Sequence, residues 1–344
     1  MASAHAIDVV DIVKSFGSTT AVAGACLHVE QGQLTALVGP SGSGKTTLLR
    51  IVAGFEVPDA GTVHIGGRCV AGGGVFEEPD RRRIGMVFQD GALFPHLTVA
   101  GNLAFSGATH ARVQECLELV GLSARATAYP HELSGGERQR IALARALAAD
   151  PDVVLLDEPF AALDVGLRVS LRQQVAAILR RAGASALLVT HNQEEALSLA
   201  DVVGVMRAGR IEQLGAPEEV YRRPTTRWVA EFLGDADIVP GTAGDGVVDS
   251  EVGRFPARNG QRGRVEVVVR PEDLILSSDD AAAPEDGRVA VVARRTYFGH
   301  DQLVELEFDS GLRVRSRTSG SAAWRPGDRV RVEVVGPVTV LDAE

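Results

Sequence analysis

LTALVGPSGSGKTTLLRIVAG, residues 34–54, passes from an apolar run through a glycine-rich loop into a helix-like segment. Within it GPSGSGKT, residues 39–46, matches G-x-x-x-x-G-K-[ST] and follows the strand-like LTALV directly. The spacing has a local physical reason. Glycines let backbone N–H groups turn inward around phosphate oxygens, and the following helix adds the positive end of its dipole. Lys45 then reaches the β- and γ-phosphates, and the Thr46 hydroxyl is placed for Mg²⁺. The expected nucleotide-binding set is Gly39, Pro40, Ser41, Gly42, Ser43, Gly44, Lys45, Thr46 and Thr47.

VVLLDEP, residues 153–159, supplies the acids. Four apolar residues read as a buried strand, and Asp157 emerges at its C-terminal edge, where open α/β sheets place ligands. Asp157 can hold a metal ion through water, and Glu158 can polarise an attacking water. A third run, SALLVT (185–190), has the same low charge and also precedes a helical pattern, as buried parallel strands do. LSGGERQR, residues 133–140, places Ser134 and Glu137 at the S-x-x-E spacing of a helix N-terminal capping box. Such a cap does not call for Gly135 and Gly136 in the first turn, where each costs about 1 kcal/mol relative to alanine.

LSGGERQR just upstream of VVLLDEP resembles the ATP-binding cassette (ABC) ATPases, with motifs in family order over residues 7–235. The resemblance implies an α/β P-loop NTPase fold with a helical subdomain at about 90–150. It also implies a head-to-tail pair of chains, each ATP lying between one phosphate loop and the partner's LSGG. Ser134, Gly135, Gly136 and Glu137 would then serve the nucleotide of the other chain. By the same resemblance Phe16 stacks on adenine, although an edge-strand core residue is an equal reading of it. Gln89 touches Mg²⁺ and the attacking water, Asp164 links the two sites across the dimer, and His191 contacts the γ-phosphate. Glu158, His191 and Lys45 form the catalytic set; Thr46, Gln89 and Asp157 form the metal set. Many relatives carry Asp after the histidine, where this chain has Asn192, and a minor effect is expected.

The rest of the chain narrows the class. At 344 residues two domains are expected. A composition 45% hydrophobic and 23% charged is that of an ordinary globular protein. A net charge of -10 argues against holding nucleic acid by overall charge. Cys26, Cys69 and Cys116 form neither a disulfide framework nor a zinc spacing, which fits a reducing compartment. No apolar run approaches the ~20 residues that span a bilayer, so work at a membrane would go through partners. GTVHIGGRCVAGGG reads as an antiparallel hairpin region and GNLAFSGATHARVQECLELVGLSARA as a mostly helical insertion. The basic run 81–83 reads as a solvated turn.

Residues 236–344 read as a small all-β domain, an OB-like barrel, after an ATPase domain at 1–235. RVRSR and RVRVEV alternate with period two, and SSDDAAAPEDG (277–287) reads as a loose loop. This domain, with Arg270, Pro271 and Glu272, resembles the accessory domain of importers for sugars, polyamines, sulfate and ferric iron. ALFPHLTVAGNLAF resembles the importer surface that receives coupling helices of membrane subunits. DRRRIGMVFQDGALFPHLTV, FLGDADIVPG and VGRFPARNG resemble the ferric-iron subgroup. The expectation is an ATP hydrolase, peripheral on the cytoplasmic face of a bacterial plasma membrane. Its expected partners are a second copy, permease subunits and, indirectly, an extracytoplasmic solute-binding protein, with no nucleic acid. Thiamine, sulfate, polyamine and sugar importers stay open, as does a soluble ABC protein acting on ribosomes or DNA.

Overall fold

The structure is a computed structural model that describes residues 5–343 except 90, 162–164, 258–260 and 279–287. It forms two compact units, Met1–Pro217 and Glu218–Glu344.

The first unit begins with β1 (Ile7–Phe16) and β2 (Thr19–Val29), followed by β3 (Leu34–Val38) and α1 (Lys45–Ala53). The glycine-punctuated stretch forms β4 (Ala60–Ile65), β5 (Arg68–Gly72) and β6 (Val75–Phe76), and β7 (Ile84–Val87) comes next. The expected helical insertion holds α2 (Val99–Ala104), α3 (His110–Leu119) and α4 (Gly135–Ala148). Then β8 (Val153–Asp157), α5 (Val165–Arg181), β9 (Ala186–Thr190), α6 (Gln193–Leu199), β10 (Val202–Arg207) and β11 (Arg210–Gly215) complete the unit.

Two sheets result. One is antiparallel, in the order β2-β1-β4-β5-β6; the other runs β11-β10-β3-β9-β8-β7. In the second, β10, β3, β9, β8 and β7 are parallel neighbours. Leu34–Val38 and Ala186–Thr190 are buried along their whole length, which is why their sequences lack the alternation of a half-solvated strand. Val38 stands opposite Thr190, and Asp157 opposite Val189. This register aligns the ends of three strands, so the loops that leave them start side by side.

One reading is corrected. The basic run 81–83 is not a solvated turn throughout, because Arg82 is 0% exposed. Its guanidinium donates to the Ile51 and Val52 carbonyls at 2.7 and 2.9 Å, to Val70 O at 3.2 Å and to Glu77 O at 2.7 Å. Val52 O is one of the carbonyls in the last turn of α1 that the helix leaves open, while Ile51 O also accepts from the Gly54 N–H at 3.2 Å. Gly54, at φ +87°, ends that helix, and a Cβ there would stand 2.6 Å from Arg82 Nε. The arginine therefore fastens the end of the phosphate-loop helix to the antiparallel sheet.

The second unit contains α7 (Pro217–Arg222) and α8 (Arg227–Leu233), then β12 (Asp237–Gly244), β13 (Val247–Ser250), β14 (Gly253–Pro256), β15 (Gly263–Val269) and β16 (Leu274–Ser278). It continues with β17 (Arg288–Tyr297), β18 (Asp301–Glu307), β19 (Arg313–Ser319), β20 (Arg329–Val334) and β21 (Thr339–Asp342). They form two five-stranded sheets, β14-β13-β12-β15-β21 and β16-β20-β17-β18-β19, the half-barrels of an OB-like all-β domain. Val239, Val267, Val292, Val304, Leu306 and Val330 fill a core shared by both. Of the loop expected at 277–287, Ser277 and Ser278 belong to β16 and the rest lies outside the described residues.

Arg270 plays in this unit the part that Arg82 plays in the other. Only 4% exposed, it donates to the carbonyls of Ala230, Asp235 and Tyr221 at 2.9, 3.0 and 2.9 Å and lies over the Tyr221 ring at 4.0 Å. Glu272 accepts from the Tyr221 hydroxyl at 2.6 Å, and Asp273 pairs with Arg222 at 2.9 Å. Burial and the Glu272 bond push the Tyr221 phenol up to about 12. RPED is thus the clamp that holds residues 221–235 against the β domain.

Replacing Arg82 with alanine removes its bonds to four carbonyls, of which Ile51 O and Val70 O keep a backbone N–H donor. Arg82→Ala is expected to cost about 3 kcal/mol, whereas Arg81→Ala and Arg83→Ala stay within about 0.5 kcal/mol. Urea unfolding of the full chain followed by circular dichroism reads the difference.

Candidate nucleotide site

The loop 39–44 lies at the C-terminal end of β3 and opens into α1. Its glycines answer to close approach rather than flexibility. A Cβ at Gly39 would come 2.2 Å from Met206 O, and one at Gly44 2.2 Å from Ala21 O. Gly44 also adopts φ +103°, a region that side chains avoid. As N-cap of α1 it offers no side-chain bond, and the first turn holds no acid. The N–H groups at this end are therefore uncapped, as an anion site requires.

Lys45 is 5% exposed and folds back over its own loop. Its ammonium donates to Gly39 O at 2.8 Å, Pro40 O at 2.9 Å and Ser43 Oγ at 3.3 Å. Burial lowers its pKa, and Glu158 and Asp157 pull it back up. Burial raises the Asp157 carboxyl, and the Glu158 charge adds to that. Both shifts have the same leading cause, burial, and the opposite charges of Lys45 and the acids partly offset it in each case.

Glu158 departs from the strand it follows. It takes φ +42°, rare for a residue with a side chain and costing of order 1–3 kcal/mol, while its N–H donates to Val189 O at 2.9 Å. Its carboxylate meets His191 Nδ1 at 3.1 Å. Gln89 is exposed just beyond β7, two positions after Val87. The ends of β3, β7, β8 and β9 thus carry the phosphate loop, Gln89, Asp157 with Glu158, and His191, in strands that adjoin one another.

The segment that carries His191 is held by a network that motif reading missed. Thr190 Oγ1 donates to Glu195 Oε2 at 2.5 Å and accepts from the Asn192 N–H at 3.0 Å. Glu195, 4% exposed, is also paired with Arg172 at 3.0 Å. Asn192 is the N-cap of α6, its Oδ1 accepting from the Glu195 N–H at 3.2 Å. Asn and Asp cap equally well, so an Asp at this position would do the same structural duty. The signal was present, since Asn192 and Glu195 have the N-x-x-E spacing.

The remaining residues fall elsewhere on the unit. Phe16 ends β1 with 47% of its surface exposed and Lys14 Nζ 5.1 Å from its ring, which removes the core reading of it. Ser134 caps α4 through its Oγ, which accepts from the Glu137 N–H at 3.2 Å, and Glu137 accepts in return from the Ser134 N–H at 2.9 Å. Bonds from the Ser134 backbone, then its side chain, hold the Glu137 carboxyl below its usual range. Among the described residues nothing calls for glycine at 136: a Cβ there would meet only Leu171 Cδ1, at 3.9 Å, and its φ is not positive. Asp164 lies outside the described residues.

Known proteins match this arrangement closely. A family model described as ABC transporter matches residues 22–161, and one described as TOBE domain matches residues 267–339. The chain is 45% identical to the Fe(3+) ions import ATP-binding protein FbpC 3 of Rhodococcus jostii, over 98% of this chain and 99% of that protein. It is 43% identical to the protein of the same name from Pseudomonas fluorescens, over 98% and 99%. A solved nucleotide-free ATP-binding cassette from an ABC transporter superposes with a TM-score of 0.59 at 26% identity, covering 67% of this chain and 100% of that one.

Asn192→Ala is expected to remove the α6 cap and cost about 1 kcal/mol, with Asn192→Asp within a few tenths of the parent; urea midpoints of the three proteins check this. Uncapped phosphate loop, paired acids, LSGG helix and full-length likeness agree: the chain belongs to the ATP-binding proteins of the ABC transporter family.

Proposed function

We propose that this chain hydrolyses ATP to drive import of ferric iron through membrane permease subunits, working as a head-to-tail pair. The substrate choice rests on relatives named for Fe(3+) import that align along the whole chain. The pairing rests on one observation: Gly136 serves no purpose within its own chain. Side chains are absent there because a phosphate of the partner's nucleotide must approach the start of α4.

ATP enters with its phosphates against the amides of loop 39–44 and the start of α1, and its adenine against the exposed ring of Phe16. Pro40, Ser41, Gly42, Ser43, Thr46 and Thr47 line the phosphate path. Lys45 exchanges its loop carbonyls for β- and γ-phosphate oxygens, gaining charge-assisted bonds in place of neutral ones. The donors Thr46, Gln89 and Asp157 are all oxygens, which suits Mg²⁺, and a cation there would favour the charged form of the Asp157 carboxyl, which burial disfavours. Mg²⁺ there would offset the charge of the phosphates.

Glu158 takes the proton from a water in line with the γ-phosphate. The His191 imidazole, 3.1 Å away, orients this carboxylate and reaches the transferring group. The partner's Ser134 and the amides of its Gly135 and Gly136 complete the enclosure. In a lone chain the capping box occupies the Ser134 hydroxyl; on closure that hydroxyl turns to the phosphate and Glu137 retains the helix end. Asp164 is proposed to link the two sites.

A groove of 420 Å³ lined by Phe88, Phe94, Phe105 and Arg145 suits a helix presented by a permease. No described helix is long and apolar enough to cross a membrane, so the chain is proposed to sit peripherally on the cytoplasmic face through that contact. The solute meets an extracytoplasmic binding protein, never the ATPase.

Glu158→Gln should bind ATP normally yet lose hydrolysis by about 100-fold or more, the usual share of a general base. Normal turnover would remove Glu158 from that role. Gly136→Asp should lose turnover by a similar factor, as when a transition-state donor is removed, with ATP affinity near that of the parent. Steady-state hydrolysis with the permease, beside equilibrium nucleotide binding, measures both. A cognate binding protein that took a sugar or sulfate and not Fe³⁺ would refute the substrate.

A further inference from the structure

We propose that the solvent face of the antiparallel sheet carries a binding site for a divalent first-row transition-metal ion, formed by His28, Asp8 and His64. In the ladder Asp8 of β1 stands opposite His28 of β2 on one side and opposite His64 of β4 on the other. His64 is in turn opposite Cys69 of β5. Residues directly opposite across strands project from the same face with Cβ atoms about 5 Å apart. Four ligating side chains therefore run in one row across four strands.

The alternation of burial confirms which face this is. Ile7 and Val9, Leu27 and Val29, Val63 and Ile65 are all in the core, so Asp8, His28 and His64 between them project from the opposite face, His28 exposed and Asp8 and His64 half-buried. The row is bordered by His5, whose ring centroid lies 5.1 Å from that of His28. His64 Nδ1 is enclosed without a hydrogen-bond partner, a ring nitrogen with nothing to bind.

Strand preference does not account for the row. Asp is depleted in strands, and β1 is an inner strand of its sheet. A face that needed only to be solvated would be served by Thr, Lys or Arg. Two imidazoles on either side of one carboxylate are instead the ligand set of Zn²⁺, Fe²⁺ or Ni²⁺, with water in the open positions. Strands about 4.8 Å apart put His28 and His64 about 10 Å from each other with the carboxylate midway, so both rings can lean inward over Asp8. As the side chains stand, no group of three converges on one point among the described residues. Binding requires rotation of the two rings about χ1 and χ2, which partly exposed side chains make readily. Cys69, beyond His64, is outside the three-ligand set.

The ion would tie β2, β1 and β4 together and stabilise the folded unit by mass action. Untagged full-length protein without nucleotide is titrated with Zn²⁺, Ni²⁺, anaerobic Fe²⁺ and Mg²⁺, by calorimetry and by the thermal midpoint. One equivalent of Zn²⁺ or another transition ion should bind and raise the midpoint, while Mg²⁺ does neither. His28→Gln/His64→Gln and, separately, Asp8→Asn should each weaken binding by more than about tenfold, the least that even outer partners of metal ligands cost. His191→Gln and Cys69→Ser should leave it unchanged. Binding no tighter than for Mg²⁺, binding that survives the double substitution, or binding lost with His191 or Cys69 would each overturn the assignment. None of these readouts depends on ATP hydrolysis, so this site and the proposed ATPase mechanism stand or fall separately.

Discussion

The loop between β3 and α1 can exist only because two of its residues have no side chain. At Gly39 and Gly44 the backbone passes so near the carbonyls of Met206 and Ala21 that a methyl group would overlap them at 2.2 Å. That contact ties the loop to β10 on one side and to β2 on the other. It fixes the direction in which the uncapped amides of α1 point, and Lys45, 5% exposed, donates to the loop's own carbonyls. The parallel order β3-β9-β8-β7 then determines which side chains stand around the loop: His191 at the next strand, Asp157 and Glu158 at the one after, Gln89 beyond.

Two helix ends in the same unit are treated differently. The start of α1 has no capping side chain and a left-handed glycine, so its amides stand open. The start of α4 is closed by the reciprocal bonds of Ser134 and Glu137, yet keeps two glycines behind the cap. A capped end is stable alone, and the proposed pairing asks it to receive a phosphate as well, with Gly136 leaving room for it. On the proposed reading, half of the site is formed within the chain and a second copy supplies the other half.

What could be read from the sequence was what is local in it. GPSGSGKT and VVLLDEP carry their chemistry within a few residues of each other, so strand, loop and acid could be placed before any coordinates. Arg82 and Arg270 could not, because all but one of their partners lie 12 to 49 residues away, at helix ends and a neighbouring strand. A basic run looks solvated until the carbonyls that need its proton donors are known. Asn192 was legible as a cap from N-x-x-E but invites comparison with relatives instead, which hides its simpler duty. The His28, Asp8 and His64 row depends on register across three strands, and residues 8, 28 and 64 have no pattern in common until that register exists.

The central claim is that each ATP is enclosed by two chains, and contact between the phosphate loop of one and the α4 end of another tests it most directly. Chains carrying Ser41→Cys are mixed with chains carrying Ser134→Cys, both in a background lacking Cys26, Cys69 and Cys116 and with Glu158→Gln to retain ATP. A short thiol cross-linker should join the two chains when ATP and Mg²⁺ are present and leave them apart without nucleotide. Cross-linking that ignores ATP, or none under either condition while ATP is bound, would contradict the account.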